Sequence, residues 1–250
     1  MKRPTLGSLR GLGSNQGSLG AQSQPNPADI FWSYHYLRHN QRRQEHLATL
    51  GLPIPGKSVL EVGAGIGDHT SFFVDRGCSV VTAEARDENL VVLRARYPDL
   101  RVLKLDLDDP EEGVSEIFDV VYCYGTLYHL QKPADAIRYM ADRCRTMLLL
   151  ETCVSMGPGE AVNLVSEVAR DPSQSIHGEG CRPTRLWVFN RLKEHFGHVY
   201  LPSTQPSHEE FPTDWRSPYS SGLTRSVFIA SREALMLPVL IEEIPEVQTR

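Results

Sequence analysis

The most informative residues of this sequence are three glycines that follow a short apolar run. Residues Val59–Val62 lead into Gly63, Gly65 and Gly67, so that glycine occupies every second position before Asp68. Glycine is needed where a backbone turns tightly and a ligand approaches without a Cβ in the way. A loop of this kind at the carboxyl end of a first strand predicts a ligand site at the edge of an open α/β sheet.

Two classes of ligand compete for such a loop. A dinucleotide carries a pyrophosphate and prefers G-x-G-x-x-G at the start of a helix. Here the third glycine comes one place early, at Gly67, and the last position of the dinucleotide pattern holds Asp68. This acid, and Glu61 at the end of the strand, would face phosphates unfavourably. S-adenosylmethionine (SAM) has no phosphate and carries a cationic amino group and a sulfonium, so the acids favour SAM over NAD.

Acidic residues also follow the next two predicted strands. Glu84 ends the second strand, and Asp106 follows the third, with Asp108 as its close rival. In dinucleotide folds an acid at the end of the second strand accepts hydrogen bonds from the ribose hydroxyls. A single acid after a strand is usually a solvated turn residue. The appearance of acids after both of these strands, behind the glycine loop, indicates a nucleoside site.

The E-x-G-x-G-x-G string from Glu61 to Gly67 resembles motif I of the class I SAM-dependent methyltransferases, and the resemblance extends over about residues 57–151. It implies a cofactor-binding set made of Glu61, Gly63, Gly65, Gly67, Glu84, Asp106, Leu107 and Tyr124. Within this set, Glu84 would bind the ribose and Asp106 the adenine amino group. The backbone N–H of Leu107 would bind a ring nitrogen.

The segment after the fourth predicted strand, residues 124–129, is expected to reach the transferred methyl group. Methylation of an oxygen can require removal of a proton, and histidine is the usual base near neutral pH. His129 is therefore the candidate catalytic residue; a histidine that supports the site through a backbone hydrogen bond is the alternative. The segment contains no D/N-P-P-Y string, no Pro-Cys pair and no acid after Tyr124. These absences argue against the amide and exocyclic-base, cytosine-C5 and metal-dependent catechol types.

The runs Gly125–Pro133 and Leu148–Thr152 are similar to the corresponding part of the bacterial tRNA wobble-uridine carboxymethyltransferases. This second resemblance is short, and a net charge of −5 gives no general attraction to nucleic acid. The resemblance therefore implies a shared catalytic core rather than a tRNA substrate. It leaves open whether SAM or a modified SAM is used, and ordinary SAM is the expected cofactor.

Substrate-binding residues are expected in segments outside the core. The candidates are Tyr128, which precedes His129, and His177, Arg182 and Arg185 from a stretch rich in Gly, His and Arg. His177 and Cys181 have a spacing compatible with a metal pair, but two ligands are too few. No metal is therefore predicted. The expected partner is a small molecule, with nucleic acid less favoured and no membrane.

An amphipathic pattern from Asp29 predicts an N-terminal helix, with Asp29 as its cap. Arg38 or Arg42 of this helix could hold the carboxylate of SAM, although a solvated basic face is the more common arrangement. RNA modification would instead need a basic surface near the pocket, for which the candidates are Arg38, Arg42, Arg43, Arg182 and Arg185.

Apolar runs separated by glycine and proline predict the strands of an α/β fold. These strands are Ser58–Val62, Ser79–Glu84, Arg101–Leu105, Phe118–Tyr124, Thr146–Glu151, His198–Leu201 and Ser226–Ala230. Helical spacing predicts helices near 68–75, before Pro98, from Pro133, over 160–169 and over 185–196. The alternation predicts a Rossmann-like, doubly wound α/β domain with a mostly parallel seven-stranded sheet and an antiparallel last strand.

Composition separates a domain from two tails. Contents of 40% hydrophobic and 23% charged residues are ordinary for a globular chain. Residues 1–27 lack acids and are rich in Gly, Ser, Gln and Pro, which predicts a disordered tail, with a transit peptide as the alternative. A SAM-dependent methyltransferase domain is expected over 28–235, with lid-type insertions at about 152–185 and 202–224, and a C-terminal tail over 236–250. Five cysteines without a CxxC pair predict reduced thiols and a cytoplasmic location.

The leading hypothesis from the sequence is a SAM-dependent methyltransferase that acts on a small or glycan-type metabolite, at oxygen. Modification of tRNA or another RNA is the second hypothesis. A protein that binds SAM without turnover is the third, and an NAD-linked enzyme the fourth.

Overall fold

The computed structural model describes residues 27–110, 113–217 and 222–250. The predicted disordered tail, residues 1–27, lies outside the described residues except for its last position. A 3₁₀ helix, Pro27–Trp32, leads into helix α1 (Tyr34–Thr49). Ser33 caps α1, with its hydroxyl accepting a hydrogen bond from the Tyr36 N–H at 3.4 Å. The predicted cap at Asp29 is wrong, because that residue lies in the 3₁₀ helix before α1.

The remaining elements alternate between strands and helices over most of the chain. The strands are β1 (Ser58–Val62), β2 (Ser79–Glu84), β3 (Arg101–Lys104), β4 (Phe118–Tyr124), β5 (Cys144–Val154), β6 (Leu164–Ser166), β7 (Glu179–Cys181), β8 (His198–Pro202), β9 (Thr224–Ser231) and β10 (Leu240–Ile241). The other helices are α2 (Thr70–Val74), α3 (Asp87–Arg96), α4 (Pro133–Asp142) and α5 (Arg185–Lys193).

The main sheet has the strand order β10-β8-β9-β5-β4-β1-β2-β3. Strands β1 to β5 run parallel to one another, and β9 runs antiparallel to both of its neighbours, β5 and β8. The predicted Rossmann-like fold is thereby confirmed, with all seven predicted strands present. The C-terminal segment adds an eighth, because Leu240–Ile241 pairs antiparallel with β8. The strand order reverses between β1 and β4, which is the point where open α/β sheets bind ligands.

Successive residues of the central strands point to opposite faces of the sheet, and both faces are buried. Leu60 of β1 and Val121 of β4 belong to one apolar cluster, whereas their neighbours Val59 and Val120 belong to another. Burial on both faces is typical of parallel sheets that are covered by helices on each side. The sheet is therefore a well-packed support for the loops at its carboxyl edge.

The predicted helix over 160–169 is wrong. Leu164–Ser166 forms β6, which pairs antiparallel with β7 (Glu179–Cys181). Asn163, directly before β6, has a φ of 53°, a left-handed conformation that interrupts a helix. The apolar spacing of the segment is compatible with a helix, but pairing with a more distant strand determines its structure.

The C-terminal segment packs against the stretch that follows β8. Thr249 forms an isolated bridge with Thr204, and Val247 forms one with Asp214. The Trp215 indole N–H donates to Gln248 Oε1 at 2.8 Å. The domain limits 28–235 stay a prediction, and β10 with these bridges continues the packed structure beyond them.

Two further properties concern the environment of the chain. All five cysteines are free thiols. In the part of the chain that the structure describes, no helix combines the length and the apolar character that crossing a bilayer requires.

Candidate active site

A cavity of about 360 Å³ opens at the carboxyl ends of β1, β2 and β4. This volume lies within the ordinary range of small-ligand sites. Of the residues proposed from the sequence, the cavity is lined by Glu61, Gly63, Gly65, Glu84, Asp106, Leu107, Tyr124, Tyr128, His129 and Arg182. Gly67, His177 and Arg185 do not line it.

Glycine is required at the three positions of the loop for different structural reasons. All adopt positive φ angles, 64° at Gly63, 57° at Gly65 and 82° at Gly67. A Cβ at Gly63 would lie 2.0 Å from Thr126 Oγ1, and one at Gly67 would lie 2.6 Å from the side chains of Leu93 and Tyr97. At Gly65 the nearest atom would be 3.8 Å away, on the Phe31 ring. Gly63 and Gly67 thus permit close packing, whereas Gly65 leaves room for a ligand above the loop.

Glu84 links the glycine loop to the start of α3. One carboxylate oxygen accepts from the Gly65 N–H at 2.9 Å, and the other accepts from the Arg86 N–H at 2.9 Å and from Asn89 Nδ2 at 3.4 Å. The side chain lines the cavity and is buried. A carboxylate has about four lone-pair sites, so acceptor capacity remains for the hydroxyls of a ribose. The position fits the sugar of SAM.

The acids after β3 have separate roles in the structure. Asp108 is buried and accepts from the N–H groups of Gln131 and Lys132 at 3.0 and 2.8 Å, which holds the turn before α4. Asp106 lines the cavity and pairs with His177 Nε2 at 2.7 Å. The geometry therefore favours Asp106 over Asp108 for the adenine end. His177, proposed as a substrate ligand, lies on this side.

Tyr124 and Glu61 offer polar groups to the cavity from the ends of β4 and β1. The Tyr124 hydroxyl is buried and, among the described residues, has no hydrogen-bond partner. Glu61 is also buried and accepts from the Thr70 hydroxyl at 2.6 Å. Burial raises the pKa of Glu61 to about 8, against an ordinary value near 4.5. The unpartnered Tyr124 hydroxyl can pair with a polar ligand such as SAM.

In the ligand-free protein, Glu61→Gln is expected to remove a pH-dependent loss of stability. The folded chain keeps this carboxyl protonated up to a pKa of about 8, whereas the unfolded chain releases the proton near 4.5. The folded state thus binds the extra proton between these values, and the free energy of unfolding falls as pH rises across the window. The full effect amounts to a few kcal/mol, since one pKa unit is worth about 1.4 kcal/mol.

Urea denaturation of both proteins across this pH range measures the effect. Glutamine keeps an acceptor for Thr70 and cannot ionise, so the stability of the variant relative to the wild type should increase with pH. Parallel stability curves for the two proteins would contradict the assignment.

His129 forms a histidine–carboxylate pair at the opposite side of the cavity. Its Nδ1 lies 2.5 Å from Oε2 of Glu167, the residue that directly follows β6. Burial lowers the pKa of His129, while Glu167 opposes this shift. Burial would raise the pKa of Glu167, but the hydrogen bond from His129 and further donors bring it down to about 2. The ring is therefore neutral at neutral pH, with Nδ1 donating to the carboxylate and the lone pair on Nε2.

Glu167 is itself fixed by two other donors. Its Oε1 accepts from Arg182 Nη2 at 3.0 Å, and its Oε2 accepts from the Ser175 N–H at 2.8 Å. Arg182 also donates to the Tyr128 carbonyl at 3.1 Å. Arg182 thus fixes the backbone beside His129 as well as the carboxylate that pairs with the His129 ring. The arrangement fixes the orientation of the imidazole, as the carboxylate of a catalytic triad does.

A buried network of charges lies beyond Tyr128. Arg225 donates to Glu151 Oε1 at 3.2 Å, to Glu210 Oε2 at 2.5 Å and to the Tyr128 hydroxyl at 3.1 Å. Arg43 of α1 pairs with the other Glu151 oxygen at 2.9 Å. Each guanidinium faces a carboxylate, which keeps this wall of the cavity electrically balanced and its side chains in place.

The arginines proposed to bind RNA or the SAM carboxylate are paired with other groups of the protein. Salt bridges join Arg38 to Glu209, Arg42 to Glu45, Arg43 to Glu151 and Arg182 to Glu167. Arg185 donates to the Pro245 carbonyl at 3.0 Å and stacks on the Trp215 ring at 3.8 Å, outside the cavity. These side chains do not form an unpaired basic surface.

Several cavity residues have no signal in the sequence that marks them as functional. Glu167 lies in a segment that the sequence predicts to be a helix. Arg225 directly precedes a predicted strand, and nothing in the sequence around it marks a functional residue. Glu210 is one of the acids of the predicted lid 202–224. Glu151 does not line the cavity but pairs with Arg225, and it belongs to the segment 148–152. A pairing of strands that are distant in the chain brings these residues together.

Comparison with known proteins identifies the family of the chain. A family model described as a methyltransferase domain matches residues 34–200. The tRNA U34 carboxymethyltransferase of Photobacterium profundum is 31% identical over 118 residues, which cover 44% of this chain and 36% of the relative. The ubiquinone biosynthesis O-methyltransferase of Psychrobacter arcticus is 26% identical over 166 residues, 64% of this chain and 60% of the relative. The matched regions span less than two thirds of the length of each of these curated relatives.

A solved structure shows the same fold. The N-terminal domain of EvdMO1, in the presence of S-adenosylhomocysteine (SAH) and D-fucose, matches with a TM-score of 0.59 and 20% sequence identity over 84% of each chain. The family model covers more than half of the sequence and includes the glycine loop, Glu84, Asp106 and His129. The chain therefore belongs to the methyltransferase domain family.

Proposed function

We propose that the protein methylates an oxygen atom of a small-molecule or glycan-type acceptor, with His129 as the general base. The observation that carries the proposal is the His129–Glu167 pair, 2.5 Å apart, in the same cavity as Gly65 and Glu84. Bound SAM would supply an electrophilic methyl group. The remaining chemistry is positioning and proton removal by residues of this chain.

The cofactor end of the cavity is assigned to residues at the ends of the central strands. Glu84 would hold the ribose and Asp106, with the Leu107 N–H, the adenine. Glu61, Tyr124 and the glycine loop would surround the methionine portion. This assignment is supported by the open space above Gly65 and by the acceptors that Glu84, Asp106 and Tyr124 present to the cavity.

The acceptor end is assigned to the wall formed by Tyr128, His129 and Arg182. Neutral His129 carries its lone pair on Nε2, which can take the proton of an acceptor hydroxyl as the oxygen gains its methyl group. Glu167 then stabilises the positive charge on the ring, because its low pKa keeps it ionised. An amine or carbon acceptor would not need this pair in the same way, which favours oxygen.

Two similar proteins are consistent with this acceptor class. One is by name a ubiquinone biosynthesis O-methyltransferase, and the other was solved with SAH and D-fucose. A tRNA acceptor is suggested by the name of another relative, the tRNA U34 carboxymethyltransferase. The paired arginines around the cavity do not favour it, since RNA binding depends on basic groups that are free to neutralise phosphates.

Incubation of the purified chain with methyl-labelled SAM and fractionated cell extract tests the proposal. We expect label in a small-molecule or glycan fraction, resistant to nuclease, and absent when His129→Gln replaces the wild type. Label in RNA, with a steep dependence on salt, would support RNA modification instead. Binding of SAM with no transfer to any fraction would indicate a protein that holds SAM without turnover.

A further inference from the structure

A cluster of imidazoles lies beside the acceptor side of the cavity, outside the cofactor and base residues described above. His35 and His39 are one helical turn apart on α1, a spacing that places both on the same face. His208 and Glu210, from the stretch after β8, lie against that face. The rings of His39 and His208 have centroids 4.8 Å apart, and those of His35 and His208 5.8 Å apart.

Two of these imidazoles are buried with nitrogens that lack a hydrogen bond. His39 is 3% exposed and His208 is 1% exposed. Within the described residues, Nε2 of each ring has no hydrogen-bond partner. A buried polar atom without a partner costs about 1–3 kcal/mol, so two of them in one cluster need an explanation. The Glu209 carboxylate lies 3.6 Å from His208 Nε2, too far for a hydrogen bond.

The spacing of the donor atoms is too long for hydrogen bonds and suits a shared ion. One nitrogen or oxygen atom from each of His39, His208 and Glu210 lies within 4.8 Å of the others. His39 Nε2 is 3.7 Å from Glu210 Oε2, and His35 Nε2 is 3.6 Å from Glu210 Oε1. Ligands at about 2.1 Å from a tetrahedral zinc ion are about 3.4 Å apart, close to these distances.

The cationic side chains beside the cluster are paired. Arg43 pairs with Glu151, and Arg225 pairs with Glu151 and with Glu210 Oε2, which reduces the repulsion of a cation and leaves Glu210 Oε1 as the oxygen that would coordinate it. His208 Nδ1 accepts a long hydrogen bond of 3.3 Å from the Glu210 N–H, which the ring would give up when Nε2 coordinates an ion.

We propose that His39, His208 and Glu210 form a binding site for a first-row divalent cation such as Zn²⁺, with His35 within reach as a further ligand. Two imidazoles and one carboxylate match the donor preference of zinc and its neighbours in the first transition row, whereas Mg²⁺ and Ca²⁺ prefer oxygen ligands alone. The site differs from the sequence expectation of no metal, because its ligands come from two segments far apart in the chain. It stands independently of the proposed function.

Titration of the chelator-treated, dialysed full chain with ZnCl₂ by calorimetry tests the site, with CoCl₂ as a spectroscopic probe. We expect saturable uptake of one equivalent of zinc, visible absorption from bound cobalt, and no competition by MgCl₂. His208→Ala should weaken zinc binding by at least about 10-fold. His39→Gln is a second variant, close to histidine in shape, so a folding defect in one variant does not decide the result.

His198→Ala is the matched control, since His198 pairs with Glu242 away from the cluster. Its zinc affinity should equal that of the wild type. Equal zinc affinity in the wild type, His208→Ala and His39→Gln, or no uptake by the wild type, would overturn the proposal. The titration uses neither SAM nor an acceptor, so its failure would leave the proposed methyl transfer untouched, and failure of methyl transfer would leave the metal site untouched.

Discussion

Replacement of His129 by glutamine is expected to lower kcat by about 10²- to 10⁴-fold, the usual contribution of a general base. Glutamine can still accept a hydrogen bond but cannot take a proton from the acceptor. The affinity for SAM should change little, because the nucleoside contacts assigned to Glu84 and Asp106 lie at the other end of the cavity. Steady-state kinetics with the identified acceptor, together with calorimetry of SAH binding, measures both quantities.

The Glu167→Gln variant tests whether His129 acts as a base or only packs in the site. Loss of the carboxylate removes an interaction that raises the pKa of His129, so that pKa should fall further. The acid limb of the kcat/KM profile should then move to lower pH, while kcat itself drops because the ring is less well oriented. His198→Gln, at a histidine outside the cavity, should leave the profile unchanged. Full kcat in His129→Gln would contradict the role of His129.

Replacement of Glu84 by alanine is expected to weaken SAH binding by at least about 100-fold. Hydrogen bonds to a charged group contribute about 1.5–3 kcal/mol each, and a carboxylate that binds a ribose diol makes two of them. The variant also loses the acceptor for the Gly65 N–H, which orders the glycine loop. Calorimetric titration with SAH gives the change in Kd.

Two further variants make the Glu84 result specific. Glu84→Gln keeps the shape of the side chain and one acceptor oxygen, so we expect a smaller loss of about 10-fold. Asp87→Ala removes a nearby carboxylate that is 76% exposed and paired with Lys104 on the surface, and it should bind SAH as the wild type does. Equal affinities in all of these proteins would exclude Glu84 from the cofactor site.

The strands next to the cofactor could be predicted from the sequence because their signals are local. The bounds of β1, β2 and β4 coincide with the predicted ones, since each is a short apolar run that ends at glycine or at a polar residue. Once these strands are parallel neighbours, their carboxyl ends meet at one edge. The glycine loop, Glu84 and Asp106 must then lie around one cavity.

The acceptor side could not be predicted in the same way. Glu167 reaches His129 because β6 pairs with β7, and Arg225 reaches Glu151 because β9 pairs with β5. Neither pairing has a local signature, and the apolar spacing around Glu167 suggests a helix instead. Arg185 lies in a stretch rich in Gly, His and Arg, yet the ring of Trp215 and a carbonyl of the C-terminal segment determine its position.

The central claim is that the cavity behind the glycine loop binds the nucleoside and amino-acid parts of SAM. Calorimetric titration of the wild-type chain with SAM, SAH and NAD⁺ tests it most directly. We expect saturable binding of SAM and SAH near one per chain in the micromolar range, about −8 kcal/mol, and no heat with NAD⁺. Absence of binding by both SAM and SAH, with saturable binding of NAD⁺, would contradict the account.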